Sequence, residues 1–309
     1  MSHTPRMSRS TYRVLSSLAL LALAAGGVTA CSDNAPSPTA SSSATSSATP
    51  GSAKAAEAKL HMVDNGGHRL AFYVTQGNGS TIVLDSGGGE DSSQWKDIVP
   101  RVHAATGATV ITYDRAGLGK SDVVPGAWKV ESAVSDLKAG LKRVGVTKDV
   151  TLVSHSQAGE IANYLAQDNP EMLSGAVLVD ANLPQFFTDE EIPRLVAGTQ
   201  PEVDAAKEDP EKPENRQLIS TAEGFAAAHQ AFHKVVWPAS VPVTVMVSER
   251  TPFARSPEDA QRWRDAAAAF AQEAPNRTLV TAKGTSHEVP TDRPDLVIKE
   301  IEAAFAAQQ

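Results

Sequence analysis

The chain has 309 residues, 41% of them hydrophobic, and a formal charge of -8 from 28 basic and 36 acidic side chains. That acidic balance, with no basic cluster, argues against a nucleic-acid partner. Cys31 is the single cysteine, which excludes an internal disulfide framework.

Residues 1–30 carry Arg6, Arg9 and Arg13 with no acid, then an apolar run over 14–25, then Val28-Thr29-Ala30-Cys31. The run is too short for a comfortable membrane span and ends in small residues, so it predicts a cleaved export signal. No twin-arginine pair precedes it, which favours the general secretion route. Val-Thr-Ala-Cys resembles the bacterial lipobox, in which the signal is cut before a cysteine that then receives lipid. The resemblance implies a lipid on Cys31 and an exported protein held at the envelope membrane. Residues 31–58 are dominated by Ser, Ala, Thr and Pro, as in Ser41-Ser42-Ser43-Ala44-Thr45-Ser46-Ser47. Such a segment cannot bury enough apolar surface to offset its ordering entropy and is expected to be a flexible tether.

Residues 59–309 form the expected globular domain, long enough for a well-buried core. Segment 59–75, with a turn at Asn65-Gly66-Gly67, predicts an antiparallel hairpin at a sheet edge. Short β-branched runs at 69–75, 81–85, 109–114, 150–154, 175–180, 243–248 and 277–282 suit strands buried on both faces. Helical patterns at 130–144 and 157–167 alternate with them, which implies an α/β domain with a mainly parallel sheet wrapped by helices. Segment 183–239 breaks the rhythm, with helical stretches near 188–197 and 221–236. It is too long for a plain connection and is expected to be a helical lid or interaction insertion.

Val153-Ser154-His155-Ser156-Gln157-Ala158-Gly159 joins an apolar strand to a helix through a serine flanked by small residues. This is the layout of a nucleophile elbow, in which a tight turn projects the serine Oγ upward. Three further motifs fall in register with it: Leu84-Asp85-Ser86-Gly87-Gly88-Gly89 after a strand, the loop Tyr113-Asp114-Arg115-Ala116-Gly117-Leu118-Gly119-Lys120-Ser121-Asp122, and Gly284-Thr285-Ser286-His287-Glu288. On these four the chain resembles the α/β-hydrolase family from about residue 59 onward. The resemblance implies a mostly parallel eight-stranded sheet flanked by helices, with a helical lid insertion after strand 6.

It also implies a site. Serine at its free pKa is a poor nucleophile, so Ser156 needs a base, for which His287 is the candidate. The Gln157 backbone N–H and one from the glycine turn, Gly88 with Gly89 as second choice, would form the oxyanion hole. The 113–122 loop is expected to brace the site. The acid departs from the family pattern. Thr251, in Ser248-Glu249-Arg250-Thr251-Pro252, stands where an aspartate is common. Asp180, at the end of the preceding strand, is the expected triad acid, with Glu249 as the alternative.

The resulting expectation is a serine hydrolase acting on a small-molecule ester or amide through an acyl-enzyme, with no metal or organic cofactor. Acyl transfer and cofactor-free peroxidation use the same residues. A serine nucleophile argues against the haloalkane dehalogenase and epoxide hydrolase branches, which use an aspartate. Thr251 and Ser86 motivate the other reading, a degenerate hydrolase kept as a surface binding lipoprotein. His229 and His233, four apart, have metal-like spacing but no third ligand and read as packed or solvated. Trp95, Trp128, Trp237 and Trp263 read as packing residues. Phe186, Phe187, Leu195, Phe225, Phe232 and Trp237 would either line an acyl pocket or form the lid's own core. Oligomeric state has no signal in the sequence.

Overall fold

The computed structural model describes residues 57–308. The expected export signal, Cys31 and nearly all of the expected tether lie outside the described residues. Eight strands form one sheet in the order β1-β2-β4-β3-β5-β6-β7-β8. They are β1 (Lys59–Asn65), β2 (His68–Thr75), β3 (Thr81–Asp85), β4 (Thr109–Asp114), β5 (Val150–His155), β6 (Leu173–Val179), β7 (Val243–Ser248) and β8 (Arg277–Ala282). The expected hairpin is β1–β2, turned by Gly66 and Gly67 at φ 60° and 93°. β2 pairs antiparallel with β4, and every later pairing is parallel.

Every residue of β3, β4 and β5 is buried, as continuous β-branched runs require of strands covered on both faces. β8 departs from that expectation. It is the sheet's last strand, and Thr278, Leu279 and Thr281 are exposed on it.

Two apolar layers cover the sheet. One joins α2 (Val130–Arg143), α3 (Ala158–Asp168) and α7 (Pro257–Gln272) to the strands; the other holds α1 (Val99–Thr106) and α9 (Pro294–Ala306). α2 comes closest at Gly140, where a Cβ would fall 1.8 Å from the Phe72 ring.

Between β6 and β7 stand α4 (Glu191–Ala206), α5 (Pro213–Ala222) and α6 (Phe225–Phe232), the expected helical insertion with different boundaries. α4 continues past the expected end through Pro201. The pattern read as one helix over 221–236 is two, because Gly224 takes φ 82° and breaks it. Phe187 lies 6.4 and 5.6 Å from Phe225 and Phe232, and Phe186 lies 4.9 Å from Trp263, so these rings bond the insertion to the main core. Trp237 instead packs on Phe270, 6.0 Å away.

Candidate active site

β5 delivers the chain to Ser156, and α3 begins two residues later. The intervening turn is so tight that Ser156 adopts φ 54°, in the left-handed region that non-glycine residues rarely enter. Its conformation is held from three sides. Ser156 N–H donates to Val179 O at 3.2 Å, while the N–H groups of Gly159 and Asn182 both donate to Ser156 O at 2.9 Å. Small flanking residues are a steric need: a Cβ on Gly159 would lie 2.4 Å from Asn182 O and 2.8 Å from Ala181 Cβ.

The loop after β8 brings in His287, whose Nε2 lies 2.8 Å from Ser156 Oγ. Its Nδ1 lies 2.7 Å from Asp180 Oδ2. Asp180 follows β6, also at positive φ, 41°. Its carboxylate is fully supplied with donors. Ser248 Oγ donates to Oδ2 at 2.6 Å, and Ser248 N–H and Trp263 Nε1–H donate to Oδ1, each at 2.9 Å. Burial by itself would raise the Asp180 pKa, but the bond and charge of His287 and the Ser248 donors outweigh it and hold the carboxyl below its ordinary value. All three side chains are buried, so their mutual interactions are little screened.

Of the two acids weighed from sequence, the structure therefore brings Asp180 to His287. Glu249 is exposed and turned away, its Oε2 accepting Gly284 N–H at 2.6 Å. Thr251 serves its own turn: its N–H donates to Ser248 Oγ at 3.0 Å, and its Oγ1 accepts Phe253 N–H at 3.1 Å. Two supports of Asp180 had no sequence signal. Ser248 sits at a strand end like many others, and Trp263, read as packing, lies 83 residues from the acid it bonds.

The glycine turn lies beside the elbow. A Cβ on Gly88 would be 2.9 Å from Gln157 Oε1 and 3.5 Å from Gln157 Cβ. The N–H groups of Gly88 and Gln157 donate to no other group among the described residues. The turn closes through Glu90 N–H to Gly87 O at 3.2 Å, with Gly89 at φ 81°. Ser86 donates its hydroxyl to Asp91 O at 2.8 Å.

The 113–122 loop braces this turn. Arg115 donates to Asp85 Oδ1 at 2.6 Å and to the carbonyl oxygens of Ser86 and Gly87. Tyr113 donates to the other Asp85 oxygen at 2.8 Å. Burial raises the Asp85 pKa although Arg115 and Tyr113 pull it down. Asp114 accepts Ser92 N–H, Lys120 N–H and Tyr73 Oη–H, and a Cβ on Gly119 would fall 2.2 Å from its Oδ2.

His155, His287 and Glu288 offer ligand atoms within 4.8 Å of one another, a spacing that could suit a metal. Both nitrogens of each histidine are already committed to hydrogen bonds, so the rings have no free lone pair for one. His229 and His233 do not converge on an ion either: their Nδ1 atoms bond Phe225 O and Pro184 O, each at 2.8 Å. His229 is buried, its Nε2 3.3 Å from Glu160 of the elbow helix.

Together these groups form a hydrogen-bonded Asp–His–Ser chain beside a turn with two unspent backbone donors. The arrangement can activate the Ser156 hydroxyl as a nucleophile and hold a negative oxygen.

A model of the Alpha/beta hydrolase family matches residues 82–300, more than half of the chain. The uncharacterized protein YqjL of Bacillus subtilis is 28% identical over 235 residues, which cover 74% of this chain and 85% of that protein. The soluble epoxide hydrolase of a Corynebacterium strain is 28% identical over 126 residues, 41% of this chain and 43% of its own length. Among solved structures, a thermophilic esterase from Thermogutta terrifontis superposes with a TM-score of 0.55 at 21% identity, covering 81% of this chain and 99% of that one. At that identity the likeness is one of fold.

Proposed function

The chain belongs to the α/β-hydrolase family, and from that membership we propose that it is a serine hydrolase cleaving a carboxylic ester through an acyl-enzyme on Ser156. The observation that carries the reading is the unbroken chain from Ser156 Oγ through His287 to Asp180, at 2.8 and 2.7 Å. His287 Nε2 takes the Ser156 proton as Oγ attacks the ester carbonyl carbon. The carbonyl oxygen becomes negative between the N–H groups of Gly88 and Gln157. Asp180 stabilises the imidazolium, which returns its proton to the departing alkoxide as the C–O bond breaks. Water, deprotonated by His287, then attacks the acyl carbon, and the imidazolium returns that proton to Ser156 Oγ as the bond between Oγ and the acyl carbon breaks, releasing the acid.

With Asp180 at His287, the motive for a binding-only lipoprotein is weaker, because Thr251 no longer marks a missing acid. Export and lipid attachment at Cys31 complete the proposal, placing the domain on a tether at the envelope membrane. A radiolabelled fatty acid incorporated into wild type and lost in Cys31→Ser tests that part.

The hydrolase reading is tested on the full chain with a fluorophosphonate probe. Attack by Ser156 forms the Oγ–P bond and expels fluoride. Labelling lost in Ser156→Ala supports the reading, whereas a folded wild type that does not label refutes it.

A further inference from the structure

Gln94 lies in a short turn, Ser92–Trp95, and takes no part in the reaction above. Its amide nevertheless spans two parts of the site. Oε1 accepts Gly87 N–H at 3.0 Å, and Nε2 lies 3.1 Å from His155 Nδ1. Across the ring, His155 Nε2 lies 3.0 Å from the backbone oxygen of His287.

The direction of this chain is fixed at both ends. Gly87 N–H can only donate, so Gln94 turns its oxygen to Gly87 and its NH2 to His155. His155 Nδ1 must then accept, which puts the ring proton on Nε2. The His287 carbonyl can only accept and demands the same tautomer. The ring is wholly buried, and burial with the neighbouring His287 depresses its pKa to about 3, so it stays neutral when a proton arrives on His287, 4.9 Å away.

Space is equally constrained. A Cβ on Gly87 would lie 2.7 Å from His155 Nδ1, so only glycine lets the turn meet the ring. Gly87 is thus gripped at both ends, its N–H by Gln94 and its carbonyl by Arg115 and the Glu90 N–H.

We propose that Gln94 is a positioning residue that, through neutral His155, fixes the Gly87–Gly88 turn and the His287 loop in one relation. The oxyanion donor at Gly88 and the base at His287 then stand in register with Ser156. The inference rests on the serine-hydrolase reading. A misplacement of about 1 Å at such groups costs on the order of 10²-fold in rate without touching substrate binding.

The test uses the full chain with 15N-labelled histidine, comparing wild type, Gln94→Met and Gln94→Glu. Ring-nitrogen NMR should show His155 as the single Nε2–H tautomer in wild type. When ionised, the side chain in Gln94→Glu keeps an acceptor for Gly87 but has no donor, so it should put a proton on His155 Nδ1. Gln94→Met should lower the maximal rate of fluorophosphonate inactivation about 10²-fold and leave the probe's half-saturating concentration unchanged. A wild-type His155 protonated at Nδ1, or a Gln94→Met inactivation rate within about threefold of wild type, overturns the proposal. Should Gln94→Met not fold, Gln94→Glu decides through the His155 proton. Should wild type not label at Ser156, the hydrolase reading fails and the positioning role with it, while the tautomer still reports whether the Gln94–His155 chain exists.

Discussion

Replacing Asp180 by asparagine is expected to slow modification of Ser156 about 10⁴-fold while the fold persists. The backbone accepts the change, because residue 180 has φ 41° and asparagine is among the residues that enter the left-handed region. The hydrogen bonding does not. The carboxylate receives four donors: His287 Nδ1 and Ser248 Oγ on Oδ2, Ser248 N–H and Trp263 Nε1 on Oδ1. Asparagine offers one oxygen. The Ser248 N–H and Trp263 N–H cannot turn away, so that oxygen faces them and the NH2 faces His287. Nδ1 must then accept, the ring proton moves to Nε2, and the lone pair that would take the Ser156 proton is gone. A 10⁴-fold loss is about 5.5 kcal/mol of barrier. The assay is the second-order rate of fluorophosphonate labelling, with thermal unfolding to show that the variant is folded. Glu249→Gln is the comparison and should stay within about twofold of wild type, since Glu249 is exposed and away from His287. A loss below about tenfold at Asp180→Asn, or a larger loss at Glu249→Gln, would refute the assignment of the acid.

Arg115→Leu should destabilise the domain by about 3–5 kcal/mol in urea unfolding, because it leaves the Asp85 carboxylate buried and unpaired. Adding Asp85→Asn should recover part of that loss; no recovery would mean the ion pair is not its source. His155 has a pKa of about 3 in the fold against 6.5 unfolded, so the unfolded chain binds more protons between these values. Its contribution is complete above pH 6.5 and lost as pH falls toward 3, at up to about 1.4 kcal/mol per pH unit. Urea titrations of His155→Gln should show a flatter acid decline than wild type, and an unchanged slope counts against a neutral buried ring. Gly159→Ala should cost about 1–3 kcal/mol, because its Cβ would lie 2.4 Å from Asn182 O. Gly198→Ala, in α4 with nothing within 4 Å of the added carbon, should gain about 0.5–1 kcal/mol. Equal effects at the two glycines in thermal melts would rule out the steric account.

What the sequence determined by itself was local. Apolar β-branched runs bounded by turns mark strands wherever they occur, so the strands, their alternation with helices and the order of the four motifs were legible without coordinates. Ser156 and His287 were legible for the same reason, since each sits in a short motif whose spacing is part of its chemistry. The boundary errors fell where a single residue competes with a periodic pattern, at Gly224 and Pro201. Only the tertiary structure decided the rest. Asp180 and Glu249 are both carboxylates near strand ends, and the choice between them depends on which one the sheet order aims at His287. The supports of the site were hidden for a related reason. Trp263 and Gln94 lie 83 and 61 residues from the groups they bond, and hydrogen bonds over such separations leave no period or motif in the chain. They exist because packing elements against a common sheet brings distant side chains into hydrogen-bond contact, at 2.9 and 3.1 Å, a property of the folded surface and not of any segment.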